Sequence, residues 1–134
     1  MEVGSFSFFH SILEQLFMDF KFEKLRIWQS SMKFGEEIFQ LSKGFPTDEK
    51  FNLTSQIRRA VDSIALNIAE GATGNSQAEF KKFIGYSLRS IAEVVTCLHK
   101  AKLRKYVSED QFNEHYKNAF DLMNSIAAFR KTLV

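Results

Sequence analysis

Cysteine is almost missing from this chain: Cys97 is the only one in 134 residues. That excludes an internal disulfide framework and fits a reducing compartment, so a cytoplasmic location is expected. Proline is equally scarce. Pro46 stands alone beside six glycines, which leaves few helix breakers and favours long helices. No apolar run approaches the roughly 20 residues that span a bilayer, so no membrane partner is expected. Strand-like alternation, internal repeats and low-complexity linkers are lacking too, which argues against β and repeat architectures. Nor does one sign of charge dominate: 18 Lys and Arg face 16 Asp and Glu, a formal net charge of +2. A charge that small does not by itself imply nucleic acid.

What is present is apolar and aromatic. Hydrophobic residues make up 45% of the chain, with 15 phenylalanines, more apolar surface than one small core requires. The length fits one domain with a real core. Residues 56–71 are its organising stretch. At 100° per residue, Leu53, Ile57, Ala60, Val61, Ile64 and Ile68 fall in one core-facing arc. Beside it runs a polar stripe of Gln56, Arg59, Ser63, Asn67 and Glu70, in which Ser and Asn are indifferent helix formers. Buried polar groups are costly unless paired. The stripe, with Glu93, is therefore read as a structural hydrogen-bonding network between helices or subunits, and Arg59 with Glu70 or Glu93 is the expected ion pair.

Four helices follow from the periodicity. The first spans about 22–43 and carries two apolar faces roughly 100° apart. Leu25, Trp28, Met32, Gly35 and Phe39 form one; Ile27, Phe34, Ile38 and Leu41 form the other. A monomeric bundle helix needs only one such stripe, so the second set is the candidate oligomer interface. Gly44 and Pro46 end this helix. The second runs from about 48 or 51 to Ala69, with Gly71, Gly74 and Asn75 as the next turn. Ser76 with Glu79 and Ser108 with Gln111 have capping-box spacing. They open a third helix over about 77–104 and a fourth over about 109–132. The third helix's core stripe is Phe80, Ile84, Ser87, Leu88, Ile91, Val95 and Leu98; the fourth's is Phe112, Tyr116, Ala119, Met123, Ile126, Ala127 and Arg130. The expected fold is all-α, an up-down-up-down antiparallel four-helix bundle over 20–134. Residues 1–19 form an N-terminal extension without a secretory leader's basic start or cleavage site. Phe9, Ile12, Leu13, Leu16 and Phe17 have helical spacing there, which reads either as a short docking helix or as a frayed extension before an alternative start at Met18.

Catalytic chemistry finds little support. His10, His99 and His115 are scattered, and none has a second His or Cys at ligand spacing, so no metal is expected. Cys97 and His99 are two apart on a helix and point to different sides, against a nucleophile–base pair. Glu70 and Glu93 are too few ligands for a di-iron bundle site. The turn from Glu70 to Ser76 has two glycines before a helix start, but without the lysine and spacing of a P-loop it reads as a plain interhelical turn rather than a phosphate cradle. The functional signal is basic. Residues 81–105 hold Lys81, Lys82, Arg89, Lys100, Lys102, Arg104 and Lys105 against one acid, Glu93. Lys82, Arg89 and Lys100 share a line about 27 Å long at 1.5 Å per residue. These seven are the candidate nucleic-acid-binding residues. The competing reading is a solvated face plus cations favoured by the helix C-terminus.

From Phe20 onward the chain resembles the four-helix-bundle proteins encoded in intervening sequences of bacterial 23S ribosomal RNA genes. The match is carried by Leu25, Trp28-Gln29, Phe45-Pro46, Gln56-Ile57-Arg58-Arg59-Ala60, Ser63-Ile64, Asn67-Ile68-Ala69-Glu70-Gly71, Ser76, Glu79-Phe80, Ser87-Leu88 and Glu93. It is also similar to the accessory protein of diversity-generating retroelements. The resemblance implies a bundle assembled into a homopentameric ring, nucleic-acid binding in the related accessory protein, and no enzymatic activity, cofactor or small-molecule substrate. Two function classes therefore stand: a non-catalytic ring binding structured RNA or DNA through a basic surface, and an oligomeric scaffold or adaptor whose partner is another protein.

Overall fold

The computed structural model describes residues 19–134, and the readings offered for the N-terminal extension lie outside them. Four helices carry the fold: α1 (Arg26–Ser42), α2 (Leu53–Thr73), α3 (Gln77–Leu103) and α4 (Glu109–Lys131). Short 3-10 turns at Lys21–Lys24 and Thr47–Glu49 precede α1 and α2. No strand occurs among the described residues.

Helix boundaries follow the capping chemistry. Ser108 accepts from the Gln111 N–H at 3.1 Å while the Ser108 N–H donates to the Gln111 side chain at 2.9 Å, a reciprocal box that opens α4. Ser76 accepts from the Glu79 N–H at 3.1 Å at the start of α3. At the end of α3 the Tyr106 N–H reaches the Ala101 carbonyl at 2.9 Å and the Lys105 N–H reaches Lys102 at 3.0 Å. This Schellman closure puts Lys105 at φ 62°, where glycine is the usual occupant. The second helix runs past its expected end: Gly71 lies inside α2, not in the turn. A Cβ there would meet the Phe83 Cβ at 2.8 Å and the Phe80 ring at 2.9 Å, so the glycine lets α3 approach closely.

Short connections make sequence neighbours antiparallel. Each helix packs on its neighbours, α4 closes on α1, and the diagonal pairs stay apart, as an up-down-up-down bundle requires. The Val134 N–H donates to the Gln77 side chain at 2.6 Å, joining the end of α4 to the start of α3. Ile38, Ile57, Ile64, Ile68, Ile84, Ile91, Leu98 and Ile126 are sealed inside, each contributing about 1.5–3 kcal/mol relative to an exposed position. The α2 arc is buried as its spacing predicts.

Two faces differ from expectation. In α4 the buried set is Phe112, His115, Ala119, Leu122 and Ile126. Phe112, Ala119 and Ile126 are common to both readings, and the helix is turned to place aliphatic Leu122 inside. Tyr116 and Arg130 then stay in water with their polar ends. In α1 the expected interface is the core: Ile27, Phe34 and Ile38 are buried and Leu41 is half-buried. Leu25, Trp28, Met32, Gly35 and Phe39 are the stripe left at or near the surface. The physical reason is volume. Two isoleucines and a phenylalanine fill an interior better than a row interrupted by glycine.

Candidate nucleic-acid interface

The basic row of α3 divides into two halves with different physics. Lys100 and Lys102 lie in the last turn of the helix, where the dipole favours cations. Lys102 Nζ is 3.2 Å from Glu109 Oε1, and Arg104 Nη1 donates to Glu49 Oε2 at 3.0 Å. Lys105 is the residue that turns the chain out of the helix. This half is explained within the chain.

Among the described residues, the other half is not. Lys81 and Lys82 lie in the second turn of α3, where the dipole gives a cation no help. With Arg89 they line a groove of about 600 Å³ between α3 and α4, completed by Arg130 from α4 and floored by Ala78, Gly85 and Leu88. Arg130 was expected in the core stripe; its guanidinium instead lies 3.5 Å from where a Gly85 Cβ would stand. Four cations share this concavity and no acid lines it. Among the described residues none of the four forms an ion pair. Lys82 Nζ sits 6.0 Å over the Tyr86 ring, within reach of a weak cation–π contact. Lys100 lies outside the groove, so the expected line of Lys82, Arg89 and Lys100 contributes two members to it.

A second groove lies between α1 and α2. It also measures about 600 Å³ and is lined by Phe22, Trp28, Met32, Gly35, Phe39 and Leu66, with Glu36 and Asp62 among its rim residues. Met32 is 51% exposed and Leu66 62%. Gly35 has nothing within 4 Å of its would-be Cβ. A glycine inside a helix costs about 0.5–1 kcal/mol against alanine. Packing accounts for Gly71, but among the described residues it accounts for neither Gly35 nor Gly85.

The polar stripe of α2 is less buried than the network reading requires. Ser63 hydrogen-bonds Ser90 across the α2–α3 pair, and Ser90 donates onward to the Tyr86 carbonyl at 3.1 Å. Ser87 donates to the Ile64 carbonyl at 2.8 Å. Asn67 instead bonds its own helix, donating to Ser63 at 2.8 Å. Gln56, Arg59, Glu70 and Glu93 are exposed. Arg59 and Glu93 flank one shallow cleft with Gln56 and Ser63, yet the expected ion pair to Glu70 or Glu93 is not formed. In water, nothing compels two exposed charges to pair.

Sequence reasoning missed Glu49. It is buried at one end of the bundle and accepts hydrogen bonds from Tyr106 Oη at 2.7 Å, Arg104 at 3.0 Å, Asn52 at 3.0 Å and the Leu53 N–H at 3.3 Å. The Tyr106 hydroxyl, above all, holds its carboxyl below the usual glutamate range, and the same bond raises the Tyr106 phenol. The partners lie 55 and 57 residues away, beyond any local pattern.

The turn after α2 offers an anion little. The Glu79 carboxylate lies within 3.1–3.2 Å of the would-be Gly74 Cβ, and Ser76 caps the next helix. Cys97 is buried while His99 is exposed and meets the Phe112 ring edge-on at 4.9 Å. Burial raises the Cys97 thiol, which disfavours its thiolate. Among the described residues, no group of three or more His, Cys, Asp or Glu is gathered to hold a metal, and no helix is long and apolar enough to cross a membrane.

Among solved structures, the chain is similar to a protein of unknown function from the S23 ribosomal protein family of Bacteroides thetaiotaomicron VPI-5482. Identity is 23% with a TM-score of 0.73, over 78% of this chain and 98% of that one. That likeness bears on the fold. No curated protein matches. Residues 23–128 match a single family over most of the bundle, including the Arg58-Arg59 and Asn67-to-Gly71 runs. The chain belongs to the family of 23S rRNA-intervening sequence proteins.

Proposed function

We propose that this protein is a non-catalytic homo-oligomer, a pentameric ring, that binds structured RNA or DNA through its basic α3–α4 face in the cytoplasm. The observation that carries this reading is the groove lined by Lys81, Lys82, Arg89 and Arg130 without a single acid. Like charges crowded around one concavity repel, and an anion relieves that repulsion. The family's name points to an RNA setting, and the absence of any base-stacking or base-reading motif points to phosphate contacts. Assembly supplies strength. Five copies of the formal +2 bring a ring to about +10, and repeated weak contacts multiply.

The apolar α1–α2 groove supports the oligomer. Its exposed Met32 and Leu66 and its bare Gly35 suit close approach by a second copy, and head-to-tail contacts of one kind close into rings. The same groove favours the second reading, a scaffold for another protein, if the chain stays monomeric with the groove intact.

Titration of the purified protein against an RNA hairpin and duplex DNA at stepped salt tests the first reading. Tight binding that falls steeply with salt, and weakens in Lys82→Ala and Arg89→Ala, is the expected result. No binding at low salt sinks it.

A further inference from the structure

We infer that the groove around Gly85 is a discrete site for a single phosphate group. The source of that phosphate, a nucleic-acid backbone, rests on the function proposed above; the site itself rests on geometry. Lys81, Gly85 and Arg89 are spaced by four on α3 and therefore share one face. The glycine is the gap between two cations. Lys82 stands one residue aside, and Arg130 closes the groove from α4. An alanine at 85 would be 3.5 Å from Arg130, an ordinary contact, so packing does not require glycine there. The missing side chain gives the Arg130 guanidinium room to lie across α3 between Lys81 and Arg89, which gathers the four cations. Arg130 and Arg89 bring planar donor forks suited to phosphate oxygens, and the lysines bring point charges. In the other half of the row the cations are paired, Lys102 with Glu109 and Arg104 with Glu49.

Gly85→Leu keeps every charged residue but fills the groove and pushes the Arg130 guanidinium off its seat, whereas Arg130→Gln removes a charge and leaves the groove open. Both variants are checked for native helicity by circular dichroism. The probes are inorganic phosphate, followed by amide and arginine side-chain NMR shifts against a chloride control, and an RNA hairpin at stepped potassium chloride. We expect phosphate shifts gathered at Gly85, Leu88 and Arg130. We expect RNA binding about tenfold weaker in both variants, the factor for one charge-assisted hydrogen bond. In Arg130→Gln the log–log salt slope becomes shallower by about one. RNA binding unmoved by Gly85→Leu, or phosphate shifts centred on residues 100–105, overturns the site while leaving the proposed function standing. Phosphate seated in the groove with no RNA binding upholds the site and overturns the function.

Discussion

The two grooves are alike in size and opposite in chemistry. One lies between α1 and α2, the other between α3 and α4, on different sides of the bundle. The first is lined by Trp28, Met32, Phe39 and Leu66 with two acids at its rim; the second has four cations and none. Each contains a helix-interior glycine that packing among the described residues does not demand. Gly71 shows what demand looks like: its Cβ would stand 2.8 Å from Phe83. An apolar concavity is satisfied by another protein surface, because burial of Met and Leu is what it gains. A cationic one is satisfied by an anion. On the function proposed above, assembly and ligand binding would fall to opposite helix pairs of one small bundle.

The largest expected effect breaks the apolar side. Met32→Asp with Leu66→Asp puts two charges on surfaces that would be desolvated at a subunit contact. Light scattering should then read the chain mass of 15.5 kDa where the parent reads a multiple of it. If the parent also reads 15.5 kDa, the groove does not hold a second copy of this chain.

Next comes the glycine that packing does explain. Gly71→Ala drives a methyl into Phe83 and Phe80, and overpacking of this kind costs about 1–3 kcal/mol. Chemical denaturation should show the loss. An unchanged midpoint would mean that α2 and α3 can separate at little cost, and the contrast with Gly35 and Gly85 would lose its reference.

How far could these features be read from residues alone? The four helices could, because Ser108–Gln111 and Ser76–Glu79 announce their starts and the α2 arc repeats at helical spacing. The rotation of α1 could not. Periodicity gives two apolar stripes, and only the competition for core volume decides that Ile27, Phe34 and Ile38 go in. The same limit moved Arg130 from an expected core position to the mouth of the basic groove. The lysines of that groove were legible as a row, but their division was not. Whether a cation is free depends on Glu49 and Glu109, which the fold brings beside Arg104 and Lys102.

Glu49 gives a smaller, pH-dependent effect that sharpens this division. Its folded carboxyl lies below the ordinary value of 4.5. Its stabilising contribution is therefore complete above that value and is lost as pH falls through the depressed one. The parent should lose denaturation midpoint between neutral and acid pH, and Glu49→Gln should start lower and change less. At neutral pH the variant also releases Arg104. RNA affinity should then hold or rise slightly, because the freed cation lies outside the Gly85 groove. A large rise would move the binding surface to the 100–105 half.

The smallest effect is the most diagnostic because it has a sign. Alanine at Gly85 or Gly35 meets at most ordinary contacts within the described chain, so helix propensity alone should stabilise a monomer by about 0.5–1 kcal/mol. For Gly85→Ala that gain should appear in any background without phosphate. For Gly35→Ala it should appear only in the monomeric Met32→Asp, Leu66→Asp background. In a parent assembled as proposed, the added methyl should meet the approaching subunit and the sign should reverse. Thermal melts of the two Gly35→Ala proteins, with and without the paired aspartates, decide it. Stabilisation in both would show that nothing comes close to Gly35, and the apolar groove would then be an open surface rather than a seam between copies.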